Sequence, residues 1–114
     1  VSNLFKQKKK HSMEISKVNL LAEVDQLNEF WKLKKVADVN DHVVNIIKLK
    51  GEFEMHTHEH GDKLFYVLKG KLFIAFIDGD ESEVGAGEFV VIPKGSQHKP
   101  YALEETTILF FEPR

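Results

Sequence analysis

With 114 residues and a formal net charge of −2, this chain suits one domain with a single apolar core, and it lacks the basic excess of a nucleic-acid-binding face. It contains no cysteine, which excludes a disulfide framework, and its nine phenylalanines supply the bulk for a core near the small end of the usual domain range. No apolar run approaches bilayer-spanning length and no signal-type apolar segment follows the Lys-rich start, so the expectation is a soluble, cytoplasmic protein with no membrane partner.

Residues 1–12, VSNLFKQKKKHS, are polar and basic and precede Met13, which is read as the natural start. They are expected to be a tail or a vector-derived segment, a solvated arm in which Lys8, Lys9, Lys10 and His11 have no role. Residues 13–114 are expected to form the single domain. Leu20, Leu21, Val24, Leu27 and Phe30 fall at the spacing of one or two helical turns, which predicts a short N-terminal helical or irregular segment, while WKLKKVADV alternates like a strand.

From His42 onward the chain reads as β. HVVNIIKL, LFYVL, LFIAFI, EFVVIP and TTILFF are short runs of branched and aromatic residues separated by Gly, Asp, Pro or charge, the pattern of an all-β barrel or sandwich. Gly70, between LFYVL and LFIAFI, predicts a tight hairpin joining those two strands, and Asp78-Gly79-Asp80 predicts a turn after the second. Both strands are apolar at nearly every position, so both faces should be covered, the second one by another subunit of a homodimer. Phe53, Phe65, Phe73 and Phe89 are assigned to the core, and Tyr66 and Tyr101 to half-buried packing.

Three histidines carry the chemistry. His56 and His58 alternate, and strand side chains repeat every two residues, so the two imidazoles share a face. A third imidazole from His98, on a distant strand, completes a set of neutral nitrogen ligands for a first-row transition metal. Glu52 and Glu54 share the parity of His56, and Gly51 is a natural site for a bulge that swaps faces within the preceding strand. Glu54 is the candidate for proton transfer beside the site. His60 extends the alternation, but Gly61-Asp62 reads as a turn, so His60, Glu59 and Asp62 are expected to be solvated.

These histidines sit in two segments, Gly51-EFEM-His56-Thr-His58-EHGD-Lys63-LFYVLK-Gly70 and Gly87-EFVVI-Pro93-Lys-Gly95-SQ-His98, which resemble the paired motifs of the cupin superfamily. Gly70, Gly87, Pro93, Gly95 and His98 fall in place. Gly51 lies one residue too close to His56, Lys63 stands where the family has a metal-binding Glu, and Ala102 replaces a terminal Asn. From Met13 to Pro113 the layout is similar to short single-domain cupins of bacteria and archaea whose function is uncharacterised. The resemblance implies a small antiparallel jelly-roll barrel, often a homodimer, with Fe, Mn, Ni, Zn or Cu at its mouth and varied chemistry, and fold transfers better than function.

Lys63 governs how far the metal expectation extends. An ammonium about 5 Å from a dication is repelled by about 7 kcal/mol at an effective dielectric of about 20. Relief comes if Lys63 pairs with Glu54, Glu59 or Asp62, if it is a neutral amine, or if the pocket holds no metal. Two readings of function stay open. In one, the protein is a metal-dependent dioxygenase, isomerase or decarboxylase for a small polar molecule, with His56, His58 and His98 as ligands and Lys63 or Glu54 handling an anion or a proton. In the other, it is a non-catalytic binding or sensor module for a sugar or an anion, with a structural metal or none.

Overall fold

The computed structural model describes residues 15–114, so the expected tail at 1–12 lies outside the described residues. In chain order the elements are α1 (Leu20–Asp25), β1 (Lys34–Val39), β2 (His42–Glu52), β3 (Lys63–Lys69), β4 (Lys71–Phe76), β5 (Glu81–Gly85), β6 (Phe89–Ile92) and β7 (His98–Pro113). The helix is one capped turn and a half. Asn19 closes its start by accepting from the Ala22 amide at 3.2 Å, and none of its residues is buried.

Strand β7 organises the rest as an antiparallel jelly-roll barrel. One edge of this 16-residue strand pairs with β2, from His42 opposite Pro113 to Glu52 opposite Tyr101. Its other edge pairs first with β4, Phe76 opposite His98, and then with β3, Leu64 opposite Phe111. β1 extends the sheet beyond β2, β6 beyond β3, and β5 beyond β4. A register shift between Leu49 and Gly51 in β2 is the expected bulge, with Gly51 at φ +86°.

One expected pairing is corrected. β3 and β4 are not hairpin partners; they lie end to end along β7, and Gly70 is the corner between them. A glycine between two apolar runs signals a tight bend in either case, and only β7 decides what lies alongside. At this corner φ is +92°, and a Cβ would sit 2.5 Å from Thr106 Oγ1 and 2.8 Å from the Glu105 carbonyl. The Thr106 hydroxyl accepts from the Lys71 amide at 3.1 Å, satisfying a backbone donor where the ladder breaks. Sequence reading also missed β5, because ESEVG is too polar to look like a strand; only Val84 of it is buried.

The core lies between the two halves of the barrel, built from residues such as Leu49, Phe65, Val67, Leu72, Ile74, Ile92, Ile108 and Phe110. Phe65 is core as expected, but Phe53 and Phe89 are not, at 45% and 62% exposure. Phe53 lies just past the end of β2, and Phe89 is on the outer face of edge strand β6, opposite Tyr66. Registers carry an apolar outer row from Val91 through Leu64 and Phe111 to Val44. Among the described residues nothing covers its β6 end, where Phe89 and Val91 are exposed.

Gly70→Ala is expected to destabilise the protein by about 2–3 kcal/mol, through backbone strain plus the clash with Thr106. Gly79→Ala, where φ is +99° but a Cβ meets open space, should cost less. Urea midpoints of the two variants, with unchanged slopes, check the difference.

Candidate metal centre

The first motif leaves β2 and runs back across the start of β7. The Phe53 amide donates to the Pro100 carbonyl at 3.1 Å, and His56 and His98 then exchange amide hydrogen bonds, 2.8 and 2.9 Å. The Gly95 amide donates to the His58 carbonyl at 2.9 Å, and the Lys94 amide to Asp62 Oδ1 at 2.9 Å. Pro93, Lys94 and Gly95 thus form a loop pinned to the segment between β2 and β3 that carries His56 and His58, which is an irregular stretch with one isolated bridge, where alternation suggests a strand. This pinning brings all three expected rings together.

Ring centroids are 4.8 Å apart for His56 and His58, 4.6 Å for His56 and His98, and 5.0 Å for His58 and His98. One nitrogen from each lies within 4.8 Å of the others, so the cluster could hold a metal ion. His56 Nδ1 donates to the Glu54 carbonyl at 2.8 Å, and His98 Nδ1 to the Ser96 carbonyl at 3.0 Å. A carbonyl only accepts, so both rings carry their proton on Nδ1 and present an Nε2 lone pair. His98 Nε2 is buried without a hydrogen-bond partner. A buried bare acceptor is costly, and a metal ion is the partner it fits.

Electrostatics disfavour protonation of His58 and His98. Burial, followed by the nearby charges of Lys63, His56 and His98, pushes His58 down to about 4. Burial also lowers His98, against the opposing pull of the Ser96 carbonyl. Neutral imidazole is the ligating form.

Lys63 points into the barrel beside these rings. Its Nζ lies 3.2 Å from Glu112 Oε1 and 3.5 Å from His58 Nε2, over the rings of Phe110 and Phe65 at 4.6 and 5.1 Å. None of the three expected partners, Glu54, Glu59 and Asp62, takes it. Pairing of Leu64 with Phe111 sets Lys63 next to Glu112 on the inner face, a neighbour that no local motif signals. Asn45, also inward and buried, donates to the second Glu112 oxygen at 3.2 Å. Burial lowers the Lys63 pKa and the Glu112 carboxylate raises it. The pair largely cancels the charge that a metal would otherwise meet.

Other candidates lie further out. The Glu54 side chain is exposed, and its described link to the cluster is the carbonyl that orients His56. His60 and Glu59 are exposed and outside the trio, as expected. The Tyr101 hydroxyl donates to Glu81, and its ring stacks on Phe73 at 5.0 Å, so it faces away from the histidines.

Two cavities flank Lys63 and Glu112. One, of about 250 Å³, opens at His58, His60 and Gly61; the other, of about 170 Å³, reaches His56 between Trp31, Phe53, Phe65 and Phe110. A larger depression, about 630 Å³, is an open groove between Phe76–Ser82 and Pro93–Gln97, and no histidine lines it. Trp31, read from sequence only as the first residue of the alternating stretch WKLKKVADV, lies in a turn ahead of β1. It has φ +66°, its amide donates to the Lys48 carbonyl at 2.8 Å and its Nε1 to the Lys50 carbonyl at 2.9 Å. The indole stacks on Phe53 at 5.2 Å, and Phe53 meets the His56 ring edge-on at 5.4 Å.

Among the described residues, no helix is long and apolar enough to cross a membrane. The chain is 35% identical over 94 residues to the uncharacterized protein YdbB of Bacillus subtilis (strain 168), covering 82% of this chain and 83% of that one. A crystal structure of a cupin-2 domain containing protein from Shewanella frigidimarina matches with a TM-score of 0.82 and 38% identity, over 96% of this chain and 99% of that one. KdgF from Halomonas sp. matches with a TM-score of 0.62 and 29% identity, over 72% of this chain and 77% of that one. Residues 43–112 match the model of the cupin domain family, a span that includes the converging histidines and the strand that unites them, and the chain belongs to that family.

Proposed function

We propose that this protein is a small metalloprotein in which His56, His58 and His98 hold a divalent transition metal, Zn, Fe, Ni, Mn or Cu, and that it acts as an enzyme on a small molecule. The observation that carries this reading is His98 Nε2, buried and bare in a cluster whose rings are oriented by backbone carbonyls. Such a metal supplies a Lewis acid with open positions, suited to dioxygenation, isomerisation or decarboxylation. The chain's own groups do the rest. Lys63, steadied by Glu112, offers an ammonium to an anionic group, and Glu54, at the rim, is the candidate to exchange protons with water. The absence of cysteine suits a reducing compartment, and we place the protein in the cytoplasm.

A second reading is a non-catalytic binding or sensor module. It is favoured by Lys63, because an ammonium paired with Glu112 stands where the related motif carries a ligand carboxylate, and among the described residues no carboxylate joins the histidine cluster. Near-stoichiometric iron, manganese, nickel or copper in purified protein supports the enzyme; folded, metal-free protein that takes up none supports the module. Cobalt titration should give one site, with His56→Ala and His98→Ala each weakening binding at least 100-fold while circular dichroism shows a retained fold.

Changing Lys63→Glu would restore the related motif's carboxylate, yet it also sets two carboxylates side by side. The metal-free variant is expected to lose about 3 kcal/mol, and Lys63→Glu with Glu112→Gln to regain most of it. Added zinc should raise the Tm of both variants more than that of the parent protein. Unchanged zinc response in both would mean that position 63 does not face the metal.

Acid sensitivity follows from His58. Its folded pKa, about 4, lies below the unfolded value of 6.5, so the unfolded chain binds more protons between them. Metal-free protein should therefore be fully stable above about pH 6.5 and lose stability as pH falls toward 4. A His58→Gln variant should show a shallower loss in urea midpoints over that window.

The partner we propose for the outer face is a second copy of the chain, because Phe89, Val91 and the apolar row beside them continue a sheet that the described residues of one subunit leave uncovered. Sedimentation should give a dimer, and Phe89→Lys with Val91→Lys a folded monomer.

A further inference from the structure

Resting on the proposed site, we infer that its ligand has a compact hydrocarbon or aromatic body and a single polar head, and is neither a sugar nor another many-hydroxyl molecule. The cavity that reaches His56 is walled by Trp31, Leu33, Leu49, Phe53, Ile108 and Phe110. Its polar lining residues are His56, Lys63 and Glu112, the last two paired with each other. A sugar placed there would set the hydroxyls that meet the apolar wall against carbon with nothing to accept or donate, and unpaired buried hydroxyls are heavily penalised. A hydrocarbon body loses nothing against that wall, and its one head can meet His56 or Lys63.

Size narrows the class further. At about 170 Å³ the cavity is smaller than those that take drug-sized molecules, so the body is of the order of one aromatic ring or a short branched chain.

Trp31 marks this cavity as built. A bulky residue rarely adopts positive φ, and here two hydrogen bonds to β2 hold one there. Without that backbone the indole would not stack on Phe53, and the wall beside His56 would be missing. Strain of this kind collects at binding sites, where the surrounding structure enforces it.

Trp31 is the sole tryptophan, so its fluorescence reads the cavity directly. Benzoate, benzyl alcohol and D-ribose are titrated into the full chain, once metal-free and once after cobalt treatment, with cobalt uptake followed separately by its visible absorption. The expected result is a saturable change with benzoate or benzyl alcohol, in either form, at an affinity at least tenfold above that for ribose. Phe53→Ser should weaken the aromatic probe about tenfold, since the Phe53 ring forms part of the cavity wall. Ribose binding as tightly as the aromatic probes, or no probe binding in either form, overturns the inference. Cobalt uptake without aromatic binding leaves the metal reading standing and removes only the ligand class. Aromatic binding without cobalt uptake does the reverse.

Discussion

The reciprocal pair of backbone hydrogen bonds between His56 and His98 is the constraint on which the site depends. It ties a segment without regular pairing of its own to the first residue of β7 and so closes the mouth of the barrel. Because the bonds are between main-chain groups, they set the separation of the two Cα atoms whatever the side chains do, and the imidazoles follow from it. Gly95 and Asp62 extend the same clamp by one residue pair each. The metal-competent cluster is thus a property of two loops locked together, with the strands serving as anchorage.

Around that clamp, polarity is arranged in a gradient. Carbonyls orient the His56 and His98 rings, burial lowers the pKa values of His58 and His98, and the part-buried Lys63–Glu112 ion pair beside them is internally balanced. A cation opposite the rings would disfavour a metal strongly, whereas an ammonium already matched with Glu112 adds little net charge. Asn45 completes the match by satisfying the second oxygen of Glu112. Beyond the pair the cavity turns apolar, and Trp31 with Phe53 seals its side next to His56. The same few residues therefore bear on three questions: whether a metal binds, how strongly, and what shape of molecule can approach it.

How much was readable beforehand depended on the range of the interactions involved. Local patterns are legible: alternation marks β1, short runs of branched and aromatic residues mark β2, β3, β4, β6 and part of β7, Gly51 marks the bulge, and Asp78-Gly79-Asp80 marks a turn. β5 was not, since its register against β4 stabilises a segment that has little apolar pattern of its own. Gly70 announced a sharp bend but not its partners, because hairpin and corner place the same demand on backbone φ. Phe53 and Phe89 were assigned to the core on composition, and position at a strand end and on an edge strand put them outside it.

Sequence alone determined the family and singled out the three histidines that cluster. Two imidazoles two residues apart, with a third after a segment framed by Gly87, Pro93 and Gly95, are the local pattern that marks them. Tertiary structure decided everything that joins distant positions. It paired Lys63 with Glu112, 49 places away, instead of with its nearer acids, and it brought Trp31 to the cavity wall. The reason is physical: helix, strand and turn preferences act over a few residues, whereas strand register and burial choose neighbours without regard to their distance along the chain.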